Sequence, residues 1–571
     1  MEHSPKPLAL RRHIPLLMLA LATTTVVHLG ALRTFFAQDD ITFLSRAAGL
    51  EPPDRLFRPL SLGLVFSAEY NAFGLDPFPY HLIGLVLHLF NVALVYALGF
   101  TLSSSALVAG AAAILFGVSI SAFTPLHWAT GIAEILAGFF LLAATLLWVR
   151  AGRRAAGHWL AALTALLAML SKETAAAWVI VVLIPEAQPG RRVSGLRSVV
   201  PALVVTGCFS AALLIAGPRH SLDQTGAYAW TASPEFVLRN LFTYVRWATD
   251  VTDPIPDALA VADPTAWRFA IPMILVFGIL LWKQVLGAAL TGLAWWLAFL
   301  LPVLPLAHRS YLYYLYIPAA GGAIFFAAAS SVVAQRWPQR LRHTVYATVI
   351  AAYATIQWHN VFVRETATRD ALPVDRSIRD ATLTEHCLAG LRRAHLARGT
   401  AILFVNPVPG RHLDSGGSAP TAPQVTVNRT SYYPLEAALR GGETLRLFLP
   451  NLEYHGFSAR APTWPLSTEC FYFEQRGWLR PWGRGQSALM RQAEVQMAAQ
   501  QWASAESTYQ SVRAVADTVA AALHGQFQAL SALGNDQSAR LVAEAYVRRW
   551  PDGPGAFDAR DYLARSRVHA H

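Results

Sequence analysis

Two adjacent carboxylates, Asp39 and Asp40, follow the first long apolar stretch of the sequence. Neighbouring carboxylates at a membrane surface repel each other and the anionic lipid headgroups, so they need a cation, hydrogen-bond donors or a chemical task. Removing a proton from an acceptor hydroxyl group, as a general base, is such a task. A solvated start of a loop is the alternative interpretation of the same two residues.

Other ionisable side chains recur near the ends of later apolar stretches. They are Arg58, His81, His88, His127, Glu134, Lys172 and Glu173. A carboxylate such as Glu134 is costly at the end of an apolar helix unless it faces a polar cavity. His81 and His88 are two helical turns apart and share a helix face, although single histidines at such positions also serve for packing or capping.

Two basic segments further along could bind a phosphate group. Arg309 precedes a tyrosine cluster that includes Tyr316, and a planar guanidinium group suits phosphate, whereas tyrosines at an interface commonly form only an aromatic belt. Residues 233–250 place Arg239 and Arg246 among apolar residues at helical spacing. This segment either lies along the membrane interface or packs as an ordinary amphipathic helix.

The composition indicates the elements that must position these residues. Of the 571 residues, 54% are hydrophobic and only 14% are charged, against about 25% in soluble domains, which excludes a single soluble globule. Residues 1–363 hold 23 Lys and Arg with 16 Asp and Glu, and the shorter remainder holds 23 and 19. We therefore expect a membrane domain over 1–363 and a polar tail, with no role in nucleic-acid binding.

Apolar stretches near the length of a bilayer core predict about eleven transmembrane helices. They lie at 14–32, 80–100, 104–122, 131–149, 158–171, 174–186, 198–217, 268–282, 285–306, 311–334 and 344–362. Basic clusters between alternate spans place the N-terminus in the cytoplasm and the tail in the periplasm of a bacterial inner membrane. The first stretch fits an uncleaved anchor better than a signal peptide. Fourteen of the 16 acids then fall on the outer side.

The tail divides into two predicted domains. Residues 364–486 mix helical and strand-like segments, which indicates a small α/β domain in which a Cys387 to Cys470 disulfide is permitted by an oxidising compartment. Residues 487–571 are Ala-rich and repeat with an offset of 34 residues, the tetratricopeptide period. These helices either present a concave face to an acceptor protein or cap the preceding domain. The three cysteines lack the spacing of a zinc site.

The order of the motifs resembles that of membrane glycosyltransferases of the GT-C fold. The sequence is most similar to tetratricopeptide-containing protein O-mannosyltransferases and their bacterial relatives. The matching elements are Asp39-Asp40, Arg58-Pro59-Leu60, Tyr80-His81-Leu82 with His88, Pro125 with His127, Gly131-x-Ala133-Glu134, Ser171-Lys172-Glu173 and Tyr316-Ile317-Pro318-x-x-Gly321. The sequence departs from the family at Gly84 and Ile132, where Asn and Arg are usual, and in the spacing of Arg309 to Tyr316.

The resemblance implies a polytopic α-helical protein that transfers a sugar from a polyprenyl-phosphate donor to a periplasmic protein hydroxyl group, envelope glycan or lipid. Asp39 or Asp40 would be the base or would position the acceptor, and inversion at the anomeric carbon would follow from direct displacement. The implied donor-binding residues are Arg58, His81, His127, Glu134, Lys172, Glu173, Arg239, Arg309 and Tyr316. We expect no cofactor and no metal, because a monophosphate leaving group need not have one.

Two other functions fit a chain of this kind. A non-catalytic membrane scaffold would recruit partners through the tetratricopeptide-like tail. A secondary transporter would place ionisable groups near the midplane of the membrane. The acids of this sequence gather instead at the predicted outer surface, which favours the enzyme.

Overall fold

The computed structural model describes residues 7–52, 57–152, 154–186, 196–216, 229–231, 233–249, 287–307, 310–334, 337–369, 372–404, 438–457, 468–473, 479–515 and 519–568. The chain forms two compact units. Unit 1 comprises Met1–Ala367 with Pro373–Ile378, and unit 2 comprises Thr368–Leu372 with Arg379–His571. Unit 2 therefore contains most of both predicted tail domains.

Unit 1 is helical in the part that the structure describes. Its first helices are α1 (Pro7–His28), α2 (Asp39–Ala47), α3 (Phe66–Phe73), α4 (Pro77–Ser103), α5 (Ala106–Gly117), α6 (Phe123–His127), α7 (Ile132–Ala151) and α8 (Ala155–Ser171). They are followed by α9 (Trp178–Glu186), α10 (Val200–Ala216), α11 (Pro234–Thr249), α12 (Ala288–Leu300), α13 (Tyr316–Ala334) and α14 (Gln339–Thr366).

Short turns connect these helices. They are the 3₁₀ turns Leu29–Arg33, Ile120–Ala122, Ala129–Gly131, Glu173–Ala177, Leu196–Ser198 and Leu312–Leu315, and the π-helical turn Pro59–Val65 that leads into α3. Local chemistry sets several boundaries. The Asp76 side chain accepts the N–H of Phe78 and begins α4, and Ser105 caps α5 in the same way.

The chain is a multi-pass membrane protein by the length and composition of its helices. Among the described residues, four helices are long and apolar enough to cross a membrane: 14–33, 77–103, 129–151 and 312–332. The bent pair 106–117 and 120–127 would make a fifth. Shorter apolar helices lie at 155–171, 173–183, 200–215 and 288–300, and the predicted span 268–282 lies outside the described residues. The number of eleven spans stays a prediction.

Unit 2 contains a four-stranded mixed sheet. The strands are β3 (Ala401–Phe404), β4 (Glu453–Phe457), β5 (Glu469–Phe473) and β6 (Leu479–Arg484), in the order β4-β3-β5-β6. Strand β3 runs parallel to both neighbours, and β5 and β6 are antiparallel. Two-residue strands β1 (Thr368–Arg369) and β2 (Leu372–Pro373) and helix α15 (Arg376–Arg393) precede the sheet, and α16 (Glu443–Phe448) lies between β3 and β4 in the chain.

Five helices follow the sheet. They are α17 (Gly485–Ala498), α18 (Trp502–Val515), α19 (Ala520–Ala532), α20 (Asp536–Arg549) and α21 (Ala556–Val568). The bounds of α18 recur in α20 with the offset of 34 residues seen in the sequence. Their assignment as tetratricopeptide helices stays a prediction.

The disulfide that the sequence permits between Cys387 and Cys470 does not form in the structure. Cys387 and Cys470 are both buried free thiols, and the Cys470 thiol donates a hydrogen bond to the carbonyl oxygen of Thr468 at 3.8 Å. Burial raises the pKa of both thiols above the usual range, to about 12 for Cys470. Spacing along the sequence could not reveal this, because it does not give the distance between the two sulfur atoms.

Candidate active site

A partly open cavity of about 60 Å³ lies where the short turns of unit 1 meet. Its walls come from α2, the segment that precedes α3, α6, the start of α7 and the turn before α13. The lining residues are Asp39, Phe43, Phe57, Arg58, Leu62, Thr124, Pro125, Trp128, Thr130, Gly131, Glu134, Tyr313 and Tyr314. Acidic, cationic and aromatic side chains from distant parts of the sequence therefore line one partly open cavity.

The two adjacent aspartates have different environments. Asp39 is exposed and lines the cavity, whereas Asp40 is fully buried. Asp40 accepts hydrogen bonds from the N–H of Ala37 at 3.0 Å, the N–H of Thr130 at 2.8 Å and the hydroxyl group of Thr130 at 2.9 Å. Asp40 therefore ties the start of α2 to the turn before α7, and Asp39 is the carboxylate that faces the cavity.

The burial of Asp40 predicts a pH-dependent stability. Burial raises the pKa of its carboxyl group from 3.8 to about 6, although hydrogen bonds from Ala37 and Thr130 oppose the shift. The folded state binds this proton more tightly than the unfolded state. The stability that the protonated Asp40 carboxyl group contributes is therefore complete below pH 4 and is lost as the pH rises through 6.

We expect this loss to be about 3 kcal/mol and to be absent in Asp40→Asn. Thermal unfolding of both proteins in detergent between pH 4 and 7 measures it. The variant Thr130→Val removes a donor that favours the charged form, so it should extend the loss to higher pH. A difference between wild type and Asp40→Asn that stays constant over this range would contradict the prediction.

Arg58 is held in a fixed orientation at the cavity wall. Its Nε and Nη2 atoms donate to the two carboxylate oxygens of Glu173 at 3.0 and 2.9 Å. The guanidinium carbon also lies 4.6 Å from the centre of the Phe57 ring. The backbone of Arg58 has a φ of 50°, a left-handed conformation that costs a non-glycine residue free energy. The bidentate ion pair with Glu173 helps to maintain this conformation.

Lys172 and Glu134 form a buried ion pair behind the cavity. The Nζ atom of Lys172 donates to a carboxylate oxygen of Glu134, and the exposed fractions of the two side chains are 3% and 7%. The same Nζ atom lies 5.5 Å from the ring centre of Tyr313 and 5.1 Å from that of Tyr314. Lys172 thus supports three side chains that line the cavity.

The predicted histidines His81 and His127 do not line this cavity. The Nδ1 atom of His81 lies 2.8 Å from the carbonyl oxygen of Leu126, and that of His127 lies 2.8 Å from the carbonyl oxygen of Phe123. The Nε2 atom of His127 contacts the carboxylate of Glu365 at 3.0 Å. Both histidines therefore brace α6, whose residues Thr124 and Pro125 form part of the wall.

Tyr316 also lies away from the cavity. It is 1% exposed, and its hydroxyl group lies 2.9 Å from Nδ1 of His88 and 2.9 Å from Nδ2 of Asn91. The second ring nitrogen of His88 lies 3.1 Å from the carbonyl oxygen of Gly117. This network fixes the start of α13 against α4, and with it the preceding turn that carries Tyr313.

The predicted donor-binding residue Arg239 does not line the described cavity. Arg239 lies on α11, where it pairs with Glu235 at 2.7 Å, and the two side chains are 35% and 81% exposed. Helix α11 contacts other parts of unit 1, since Asn240 donates to the carbonyl oxygen of Leu304 at 2.9 Å. Arg309 lies outside the described residues.

Sequence reasoning missed several cavity residues. Trp128 directly follows the motif of Pro125 and His127, and Tyr313 and Tyr314 belong to the same tyrosine cluster as Tyr316, for which an aromatic belt was the alternative interpretation. Nothing in the sequence marked Thr130 as a cavity residue, because a threonine near a helix start is common. Among the residues that the structure describes, no group of three or more His, Cys, Asp or Glu could hold a metal ion. Independence from metals and cofactors stays a prediction.

No family model matches the chain, and no curated protein matches it. Among solved structures, ArnT from Cupriavidus metallidurans bound to undecaprenyl phosphate matches with a TM-score of 0.45 and 12% identity, over 80% of this chain and 92% of that one. The oligosaccharyltransferase from Archaeoglobus fulgidus, tethered with an acceptor peptide, matches with a TM-score of 0.38 and 12% identity, over 68% and 61%.

The archaeal oligosaccharyltransferase AglB from A. fulgidus, in complex with an inhibitory peptide and a dolichol-phosphate, matches with a TM-score of 0.37 and 13% identity, over 68% of this chain and 62% of that one. All three matches are thus similarities at 12 to 13% identity with TM-scores below 0.5.

Proposed function

We propose that the protein is a membrane glycosyltransferase that moves a sugar from a polyprenyl-phosphate donor to a hydroxyl group of an acceptor. The observation that carries the proposal is the cavity that holds Asp39, Arg58 and Glu134 together with aromatic side chains. A carboxylate suits proton removal, and a guanidinium group suits a phosphate. The order of the sequence motifs supports the same reaction.

In the proposed reaction, Asp39 accepts the proton of the acceptor hydroxyl group. The acceptor oxygen forms a bond to the anomeric carbon while the bond from that carbon to the phosphate oxygen breaks. The electron pair of the broken bond leaves with the phosphate, which remains as polyprenyl phosphate. Because Asp39 is exposed, it then returns the proton to water. A single displacement of this kind inverts the anomeric configuration.

Arg58 is the residue that we assign to the donor phosphate. The negative charge on the leaving phosphate grows in the transition state, so a fixed cation beside it lowers the barrier. Glu173 holds the guanidinium group through two hydrogen bonds and therefore sets its plane before the donor binds. The side chain of Arg58 thus lies at the cavity wall with its guanidinium group already oriented.

Glu134 and Lys172 have a different role in this proposal. Glu134 lines the cavity, but its charge is balanced by Lys172, which is buried behind it. The pair adds no net charge that would repel an anionic donor. It also fixes Tyr313 and Tyr314, which contact the Lys172 ammonium group. We therefore assign the pair to shaping the cavity.

The acceptor of the sugar and the cellular compartment of the reaction are also part of the proposal. We propose that transfer occurs on the periplasmic face of a bacterial inner membrane, to protein Ser or Thr or to an envelope glycan or lipid. The tetratricopeptide-like helices of unit 2 are the proposed docking surface for a protein acceptor. The proposal requires no metal or cofactor.

The test of the proposal uses the purified protein in liposomes. The donor is undecaprenyl phosphate that carries one radiolabelled hexose, and the formation of sugar-free undecaprenyl phosphate is measured. We expect Arg58→Gln to raise the KM for the donor about 10- to 100-fold, because a charged hydrogen bond to phosphate is lost. The matched control Arg340→Gln changes an exposed residue of α14 and should leave KM unchanged.

A strain that lacks the protein gives an independent result. Intact-mass analysis of its secreted glycoproteins and envelope glycans should show the loss of one sugar, which the wild-type gene restores. If no glycan changes in this strain and the wild-type protein consumes no hexosyl or pentosyl donor, the glycosyltransferase proposal is wrong.

A further inference from the structure

Trp128 occupies a rigid position at the cavity wall. Its backbone N–H donates to the carbonyl oxygen of Thr124 at 3.0 Å, and its backbone carbonyl oxygen accepts the N–H of Gly131 at 3.0 Å. The turn is tight, since a Cβ atom on Gly131 would lie 2.2 Å from the carbonyl oxygen of Pro125. The sequence of this turn therefore fixes the backbone that presents the indole ring to the cavity.

The Trp128 side chain lacks a polar partner in the described part of the chain. Its indole Nε1 atom is buried and makes no hydrogen bond. A buried tryptophan N–H normally finds an acceptor, and an exception calls for an explanation. A ligand that supplies the acceptor is one such explanation, because the ring itself lines the cavity.

The surroundings of Trp128 indicate what kind of ligand this is. The Tyr313 ring lies 6.1 Å from the Trp128 ring, so two aromatic side chains form one wall. Asp39 and Glu134 line the same cavity and can accept hydrogen bonds from hydroxyl groups. A sugar ring has apolar C–H faces that stack on aromatic rings and hydroxyl groups that both donate and accept.

The phosphate and the lipid chain fit this wall less well. A phosphate group needs a cation, and the cation that lines the cavity in the described structure is Arg58, which stacks on Phe57. A prenyl chain would gain nothing from an N–H donor or from two carboxylates. The aromatic pair, with the indole N–H of Trp128 as a donor that lacks an acceptor, therefore matches the sugar.

We infer that Trp128 is the stacking platform for the sugar of the donor and that its indole N–H donates to a sugar hydroxyl group in the complex. This inference rests on the proposed function. It makes Trp128 a residue that determines sugar affinity and selectivity, whereas Arg58 determines affinity for the phosphate. Tyr313 extends the platform, and the turn closed by Gly131 holds it in place.

The test compares two substitutions and two lipids. Trp128→Phe keeps an aromatic ring and removes the N–H, and Trp128→Leu removes both. We expect the KM for hexosyl undecaprenyl phosphate to rise about fivefold in Trp128→Phe, the equivalent of one net hydrogen bond, and at least about 20-fold in Trp128→Leu. The Kd for sugar-free undecaprenyl phosphate should stay the same in both variants.

The matched control is Trp159→Phe, on the exposed surface of α8, which should change neither constant. An unchanged donor KM in Trp128→Leu would overturn the inference. So would an equal loss of affinity for sugar-free undecaprenyl phosphate, because it would assign Trp128 to the phosphate or to folding. A wild-type protein that binds and consumes no sugar-bearing donor would instead refute the proposed function, so the two failures are distinguishable.

Discussion

Replacing Asp39 with asparagine should lower the kcat of sugar transfer by about 10²- to 10⁴-fold, the typical contribution of a general base. Asparagine keeps the size of the side chain and cannot take the proton of the acceptor hydroxyl group. The donor KM and the thermal unfolding temperature should stay near the wild-type values, since Asp39 is exposed. Steady-state kinetics with hexosyl undecaprenyl phosphate and circular dichroism melting measure these quantities.

The matched control for this prediction is Asp76→Asn. Asp76 caps α4 by accepting the N–H of Phe78, and asparagine caps a helix equally well, so activity should not change. The opposite pattern, in which Asp40→Asn abolishes kcat at wild-type stability while Asp39→Asn remains active, would refute our assignment of the base. Loss of activity in Asp40→Asn together with loss of stability is consistent with its positioning role.

Replacing Lys172 with methionine should destabilise the protein by about 3–5 kcal/mol, the cost of leaving a buried charge unpaired. The Glu134 carboxylate is 7% exposed and would lose the ammonium group that compensates it. The tyrosine rings that contact the ammonium group would also lose their support. Chemical denaturation in detergent measures the change in the free energy of unfolding.

A double-mutant cycle separates the ion pair from other effects of the substitution. The variant Lys172→Met with Glu134→Gln removes both charges, so most of the lost stability should return. As a control, Arg239→Met removes a partner from the exposed pair with Glu235, and this should cost less than about 1 kcal/mol. Additive effects of Lys172→Met and Glu134→Gln would show that the two residues are not coupled.

Much of the helical architecture of unit 1 follows from the sequence. Helices lie at the predicted apolar stretches that the structure describes, because about twenty apolar residues satisfy their own backbone hydrogen bonds only as a helix. The boundaries carry local signals, such as Asp76 before α4 and Ser105 before α5. The candidate residues Asp39, Arg58 and Glu134 could also be selected, since charged groups at helix ends are costly without a purpose.

The sequence could not divide these residues by role. Asp39 and Asp40 are adjacent and identical in type, yet one faces the cavity and the other accepts three hydrogen bonds. His127 and Glu134 each matched a family motif, yet Glu134 lines the cavity and His127 braces α6 through Phe123. Tyr316 was selected for the donor and instead anchors the start of α13.

The reason is geometric. Successive residues of a helix point about 100° apart, so a sequence gives the angle of each side chain around its own helix axis. It does not reveal which helix packs against that side. The packing depends on contacts between residues that are distant in the sequence, such as Thr130 with Asp40 and Glu173 with Arg58. The sequence alone determined which chemical groups collect near the helix ends. Only the tertiary structure decided which of them share the cavity, because that depends on how the helices pack.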